Sequence, residues 1–201
     1  MIDLEEFKKR VKEGKIKNKR YFYRMNEISK QKIVRNMHAL IQFFKNKCDI
    51  DIYLIYGTLL GAIREHDFIE HDCDIDFAYL SKETHKRDII IEYEKIISIL
   101  KRYDMLSKIC RDGHLFISSP NKENKFDLWT SFCIDNKYSL VPIYDNEIDS
   151  SIIIPLKTMI FKNYTFLIPN NSEKLLDLIY HNWERPILES RGTKNKWKNI
   201  F

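Results

Sequence analysis

Three aspartates stand one residue apart in the stretch HDCDIDFAY, at Asp72, Asp74 and Asp76. A strand sends alternate side chains to opposite faces. The spacing therefore predicts three carboxylates on one side, with Cys73, Ile75 and Phe77 on the other. Like charges on one face repel. A divalent cation removes that penalty, because Mg²⁺ or Mn²⁺ takes carboxylate oxygens and bridges them to phosphates. A solvated acidic edge is the plainer alternative. It leaves the apolar Ile75, Phe77 and Ala78 unexplained, since they suggest a strand buried on its other side. A metal site is the preferred reading.

Two further features belong with these carboxylates. Upstream, Gly57-Thr58 makes a small turn into a short apolar helix, and backbone N–H groups at a helix start suit phosphate oxygens. Downstream, Asp127 sits in KFDLWTSF between Phe126 and the pair Leu128-Trp129. A buried, unpaired carboxylate is costly, so a metal ion or an arginine must accompany it. Asp127 is the candidate third acidic position beside Asp74 and Asp76, with a structural Asp–Arg pair as the alternative.

These residues need a scaffold. Residues 3–13 read as a short charged helix. A longer helix is expected from about Asn26 to Lys47, with Ile33, Val34, Met37, Ile41 and Phe44 along one face. Asp51–Tyr56 suits a buried strand, and Leu59–Glu65 a short helix. The acidic strand is expected over about Cys73–Leu80, followed by a helix over Lys86–Tyr103. Strands are then expected at Leu106–Cys110, Leu115–Ser118, Lys125–Phe132 and Tyr138–Val141, joined by Asp-Gly, Pro-Asn and Asp-Asn turns. A hairpin over Met159–Ile168 turns at Lys162-Asn163. Asn171-Ser172 caps a last helix, with Leu175, Leu176, Leu178 and Ile179 on its apolar face. Helices and strands mix without regular βαβ alternation, which favours an α+β fold with a mixed β-sheet and flanking helices.

The 201 residues suffice for one well-buried domain. The organisation expected is a basic N-terminal arm with a short helix (1–25), a core domain (26–186) and a basic tail (187–201). No apolar run approaches the roughly 18 residues of a membrane helix, and MIDLEEFKKR lacks the apolar stretch of a secretory signal. Four widely spaced cysteines form no paired motif and read as reduced thiols, so a cytoplasmic location is expected. The net charge of +5 is concentrated between Lys8 and Arg24 and near the C-terminus. Such segments suit phosphates or anionic headgroups, so peripheral membrane contact through the termini is a candidate partner role. Tyr21, Phe22 and Tyr23 either stack on a ligand or pack back onto the domain. His66, His71 and Cys73 invite a zinc reading, but no second ligand pair has zinc spacing.

The run GTLLGAIREHDFIEHDCDIDFAY is similar to the signature of the LicD/fukutin family, a Gly-Thr-Leu-Leu-Gly-Ala-X-Arg run followed by Phe-Ile and an Asp-X-Asp-X-Asp strand. FDLW at 126–129 looks like the family's third acidic position. FKNYTFLIPNNSEKLLDLIYHNWERP resembles its C-terminal hairpin, helix and Trp-containing ending. The resemblance covers about residues 30–186. It implies a nucleotidyltransferase-like fold and transfer of a phospho-alcohol, of phosphocholine or polyol-phosphate type, from a CDP-linked donor to a glycan hydroxyl. Carried over by position, Asp72, Asp74, Asp76 and Asp127 would hold Mg²⁺ or Mn²⁺. Asp74, Asp76 and Asp127 would be catalytic, with Asp127 accepting the acceptor's proton. Gly57, Thr58 and Gly61 would shape the phosphate turn. Arg64 would neutralise phosphate or brace the acidic strand.

Some positions depart from the family pattern. Cys73 replaces a more polar residue and, by alternation, should face away from the metals. Glu70-His71 stands for Pro-Trp, His66-Asp67 for a Gly-containing pair, and His181 for a Gly near Trp183. The expected partners are a CDP-linked donor and a glycan or lipid-linked glycan acceptor, without nucleic acid. Tyr79, Trp129, Tyr138 and Trp183 are available to contact a choline cation. Two other functions fit the same residues: a nucleotidyltransferase that moves an NMP group to protein, RNA or a small molecule, and a non-catalytic glycan- or phosphate-binding module.

Overall fold

The computed structural model describes residues 3–111, 113–141, 144–180 and 182–185. The basic tail expected at 187–201, and His181, lie outside the described residues.

Helix α1 spans Leu4–Lys12, capped by Asp3, whose Oδ1 accepts from the Glu6 N–H at 2.8 Å. Its buried positions, Phe7 and Val11, are four apart and face Tyr21. A 3₁₀ turn over Phe22–Arg24 leads to α2, Glu27–Cys48, capped by Asn26. Ile33, Val34, Met37, Leu40 and Phe44 form the buried stripe of α2. Strand β1 is Ile52–Leu54, and α3, Tyr56–Leu60, runs on into a π-helical turn over Gly61–Glu65. Strand β2 is Asp76–Leu80 and α4 is Lys86–Arg102, burying Ile89, Tyr93, Ile96 and Leu100.

The second half is built mainly of strands: β3 Leu106–Arg111, β4 His114–Ser118, β5 Lys125–Ile134, β6 Lys137–Val141, β7 Tyr144–Asp149, β8 Lys157–Phe161 and β9 Tyr164–Ile168. Helix α5, Ser172–Ile179, closes the described fold. Two tight hairpins turn where the sequence predicts them. Asp135-Asn136 and Lys162-Asn163 hold φ values of 49° and 61°, and of 47° and 71°, the paired left-handed residues of a type I′ turn.

All nine strands join one sheet in the order β3-β4-β5-β2-β1-β9-β8, with β6 and β7 extending from the far half of β5. The β2–β5 and β1–β9 pairs are parallel and the others antiparallel. This mixed sheet with flanking helices is the expected α+β architecture. The central strands β1 and β2 are almost wholly buried.

Three expectations need correction. The acidic strand begins at Asp76 rather than near Cys73, because Asp72 forms a side-chain turn: its Oδ1 accepts from the N–H of Cys73 at 2.7 Å and of Asp74 at 3.4 Å. Strand β7 has no counterpart in the sequence reading; its YDNEID composition is too polar for a strand signal. Leu178, placed on the apolar face of the last helix, is 51% exposed.

Candidate active site

Strands β2 and β5 lie side by side in parallel, and their register pairs Asp76 with Asp127. The Asp127 N–H bonds the carbonyl of Ile75 at 2.9 Å, which locks that register at its first rung. Trp129, two residues along β5 and therefore on the same face, donates its indole N–H to Asp76 Oδ1 at 3.2 Å. His114 is the antiparallel partner of Trp129 on β4, and its ring stacks on the indole at 3.7 Å and 7°. Its Nε2 lies 3.8 Å from Asp127 Oδ1, an electrostatic contact rather than a hydrogen bond. Both imidazole nitrogens are buried without a hydrogen-bond partner among the described residues.

The loop before β2 carries Asp72 and Asp74, whose compact cluster with Cys73 does not include Asp76 or Asp127. Thr58 receives the Asp76 N–H on its hydroxyl at 2.9 Å, tying the start of β2 to α3. A Cβ added to Gly57 would collide with Asp72 Oδ2 and lie 3.8 Å from Asp76 Oδ2. Glycine at this position is what lets the Asp72 carboxylate close against α3. Asp72, Cys73 and Asp74 each offer a ligand atom, and these lie within 4.8 Å of one another. The Cys73 thiol donates to Asp74 Oδ1 at 3.2 Å. Cys73 therefore points into the acidic cluster instead of away from it, because the segment is a turn and strand alternation does not apply. Burial, with the Asp74 charge beside it, pushes this thiol up to about 11.

The N-terminal residues complete one wall. Phe22 and Tyr23 donate their N–H groups to the carbonyls of Asp72 and Glu70 at 2.9 and 2.8 Å. Phe22 stacks on Phe68 with ring centres 4.5 Å apart. Cys73 packs against the Phe7, Val11 and Tyr21 cluster. Tyr21, Phe22 and Tyr23 thus pack back onto the domain, and they carry Lys19 to within 3.9 Å of Asp74 Oδ2.

The electrostatics fit a cation. Burial first, then the charges of Asp127, Asp72 and Asp74, push Asp76 well above the usual carboxylate range, with only the Trp129 N–H pulling it back. Burial and Asp74 also raise Asp127, against the opposing pull of His114 and Lys19. The donor set is oxygen-rich, running from the buried Asp76 through the half-buried Asp72 and Asp127 to the exposed Asp74, with a glycine-shaped cradle at Asp72. Those are properties a hard divalent ion satisfies.

The remaining predicted residues take supporting positions. A Cβ on Gly61 would meet the Asp67 carbonyl at 2.6 Å, so this glycine lets the 67–69 loop close over the helix. Arg64 sits elsewhere than expected. Its Nη1 donates to the Trp183 carbonyl and its Nε to Glu65, both at 2.7 Å, so among the described residues it braces the C-terminal segment and not the acidic strand. Tyr79 and Tyr138 are fully buried, which removes them as walls of a choline pocket. His66 and His71 do not join the acidic cluster. The sequence reading passed over His114 and took Lys19 only as one charge of the basic segment between Lys8 and Arg24. Only strand register could single out His114, and only the fold-back of residues 16–24 could single out Lys19.

Comparison with known proteins agrees with this geometry. The family model described as LicD/FKTN/FKRP, nucleotidyltransferase domain, matches residues 49–171, more than half of the chain. An uncharacterized protein of Rickettsia prowazekii is 28% identical over 162 residues, covering 79% of this chain and 56% of the relative. The chain thus spans little more than half the length of that relative.

Proposed function

Because the chain belongs to the LicD/FKTN/FKRP nucleotidyltransferase-domain family, we propose that it is a divalent-metal-dependent transferase of substituted phosphate groups. It would move a phospho-alcohol, of phosphocholine or polyol-phosphate type, from a CDP-linked donor to a hydroxyl of a glycan or lipid-linked glycan. Family membership supports a transferase. The donor, acceptor and metal belong to the proposal. The observation that supports it is the pairing of Asp76 with Asp127 beside the Asp72–Asp74 turn, with the charges of Asp127, Asp72 and Asp74 all acting on the buried Asp76.

Asp72, Asp74, Asp76 and Asp127 would hold Mg²⁺ or Mn²⁺, which when bound supplies charge neutralisation for a diphosphate. The protein's own contribution is placement. Thr58 and Trp129 fix Asp76, one through its backbone N–H and the other through its carboxylate. Asp127, the more accessible member of the pair, would accept the proton of an attacking hydroxyl, with His114 3.8 Å away to orient it. Holding reactants in line and neutralising charge are the main sources of rate in phosphoryl transfer. The exposed Lys9 and Lys12 of α1 would bring the site to an anionic membrane that bears a lipid-linked acceptor. Among the described residues, no helix is long and apolar enough to cross a membrane.

The test is release of cytidine monophosphate from CDP-choline, CDP-ribitol or CDP-glycerol, with and without Mg²⁺, in the presence of candidate glycans. Metal-dependent release from one donor, lost in Asp74→Ala and Asp76→Ala, is the expected result. Pyrophosphate release from CTP or ATP instead would assign the chain to nucleotidyl transfer.

A further inference from the structure

An acidic site that handles a diphosphate needs positive charge from the protein as well as from metal. Arg64, the arginine nearest the acidic motif in sequence, is committed to Trp183 and Glu65. Among the described residues, a cation reaches the cluster from residue 19. Lys19 Nζ lies 3.9 Å from Asp74 Oδ2 and 3.4 Å from Cys73 Sγ. Its charge also pulls on Asp127, so the ammonium acts on both the loop acid and the strand acid.

The backbone around Lys19 is held in place. The Tyr21 hydroxyl donates to the Lys17 carbonyl at 2.6 Å and Arg24 to the Lys19 carbonyl at 3.2 Å, while Phe22 and Tyr23 are pinned to the 70–72 loop. Only the side chain, 35% exposed, has room to move. A lysine is a compact charge on a flexible stem, suited to serving two anions in turn.

We propose that Lys19 is a phosphate-binding residue of this site, an inference that rests on the transferase reading above. Its ammonium neutralises Asp74 while the carboxylates lack a divalent cation. It transfers to a diphosphate oxygen of the donor once metal and donor arrive together. Ammonium and metal compete for Asp74; ammonium and donor attract.

The two roles predict effects of opposite sign. In Lys19→Gln, Mn²⁺ alone should bind more tightly, by about two- to fivefold, the scale of a part-exposed ion pair. Inorganic pyrophosphate with Mn²⁺ should bind about tenfold to a hundredfold more weakly, the scale of a charge-assisted hydrogen bond. Lys19→Arg should keep pyrophosphate binding close to wild type. Calorimetric titrations of the full chain read all three. A lysine that only supports the wall would weaken Mn²⁺ and pyrophosphate together, and that result overturns the assignment. So does a wild-type protein that binds no pyrophosphate with Mn²⁺, or a Lys19→Gln variant unchanged in both. Pyrophosphate carries no nucleoside, which separates the two claims. The opposite shifts without cytidine monophosphate release from any CDP-linked alcohol keep Lys19 and sink the donor reading. Equal release by wild type and Lys19→Gln keeps the transferase and overturns Lys19.

Discussion

Asp76 and Asp127 occupy the same rung of the parallel ladder between β2 and β5. Adjacent strands run about 4.8 Å apart, so two carboxylates are nearest neighbours in a buried part of the sheet. Both are raised above the ordinary carboxylate range, with burial the leading cause in each. A sheet selected for stability alone would not place them there. The arrangement costs stability and would suit an ion that binds both carboxylates.

Asp76→Asn keeps the shape and an oxygen for the Trp129 N–H while removing the buried charge. The metal-free variant should be more stable than wild type at pH 7.5 by on the order of 1 kcal/mol, or about 2–4 °C in Tm for a chain of this size. It should also lose most of the stabilisation Mn²⁺ gives the wild type. Thermal unfolding with and without Mn²⁺ measures both. A less stable variant would mean that the Asp76 charge already has a partner.

The same pair sets a pH dependence. A group whose folded-state pKa is raised binds more protons when folded, so its stabilising contribution is full below the unfolded value, about 3.9 for Asp. That contribution is lost as pH rises through the higher folded value. The Tm gap between metal-free wild type and Asp76→Asn should therefore widen from about pH 4 upward and level off once Asp76 is ionised. A gap that stays flat between pH 4 and 8 would show that Asp76 titrates normally.

Gly57→Ala isolates the close approach of Asp72. Replacing Gly by Ala inside a helix ordinarily stabilises it, by about 1 kcal/mol. Here the new Cβ meets Asp72 Oδ2, so the carboxylate must withdraw. Mn²⁺ affinity should fall about tenfold or more while the fold persists. In an Asp72→Ala background the same change should have no further effect on Mn²⁺ binding, because its collision partner is gone. Calorimetric titration of the four proteins tests this.

His114→Phe preserves the stack on Trp129 and deletes the Nε2 that faces Asp127. Residues that orient metal ligands typically affect metal affinity or activity about 10–100-fold, and a loss in that range is expected. Removing two buried polar atoms without hydrogen-bond partners should leave Tm unchanged or raise it by about 1 kcal/mol equivalent. Intact Mn²⁺ binding together with a lower Tm would make His114 a packing residue.

How far the sequence could be read depended on the kind of information each element needs. The stripe on α2, the hairpins at Asp135-Asn136 and Lys162-Asn163, and the cap Asn171 follow from local rules and stand where those rules put them. The facing of Cys73 does not, because a carboxylate just ahead of a strand can capture the backbone and end the alternation, as Asp72 does. Arg64 was legible as a cation but not as a partner of Trp183, 119 residues away. His114 meets Asp127 only through the β4–β5 register, which no local pattern encodes. Long-range pairing chose which side chains meet, and that choice made the difference between a motif and a site.

The indole of Trp129 lies between His114 on its face and Asp76 at its N–H. An indole's emission responds to the charge and hydrogen bonding around it, so the protein carries its own optical gauge at the carboxylates. Occupation of Asp76 by a cation would change the field across that ring directly. Intrinsic fluorescence, with Trp129→Phe to subtract the emission of Trp183 and Trp197, could then follow the filling of the site in real time without any added label.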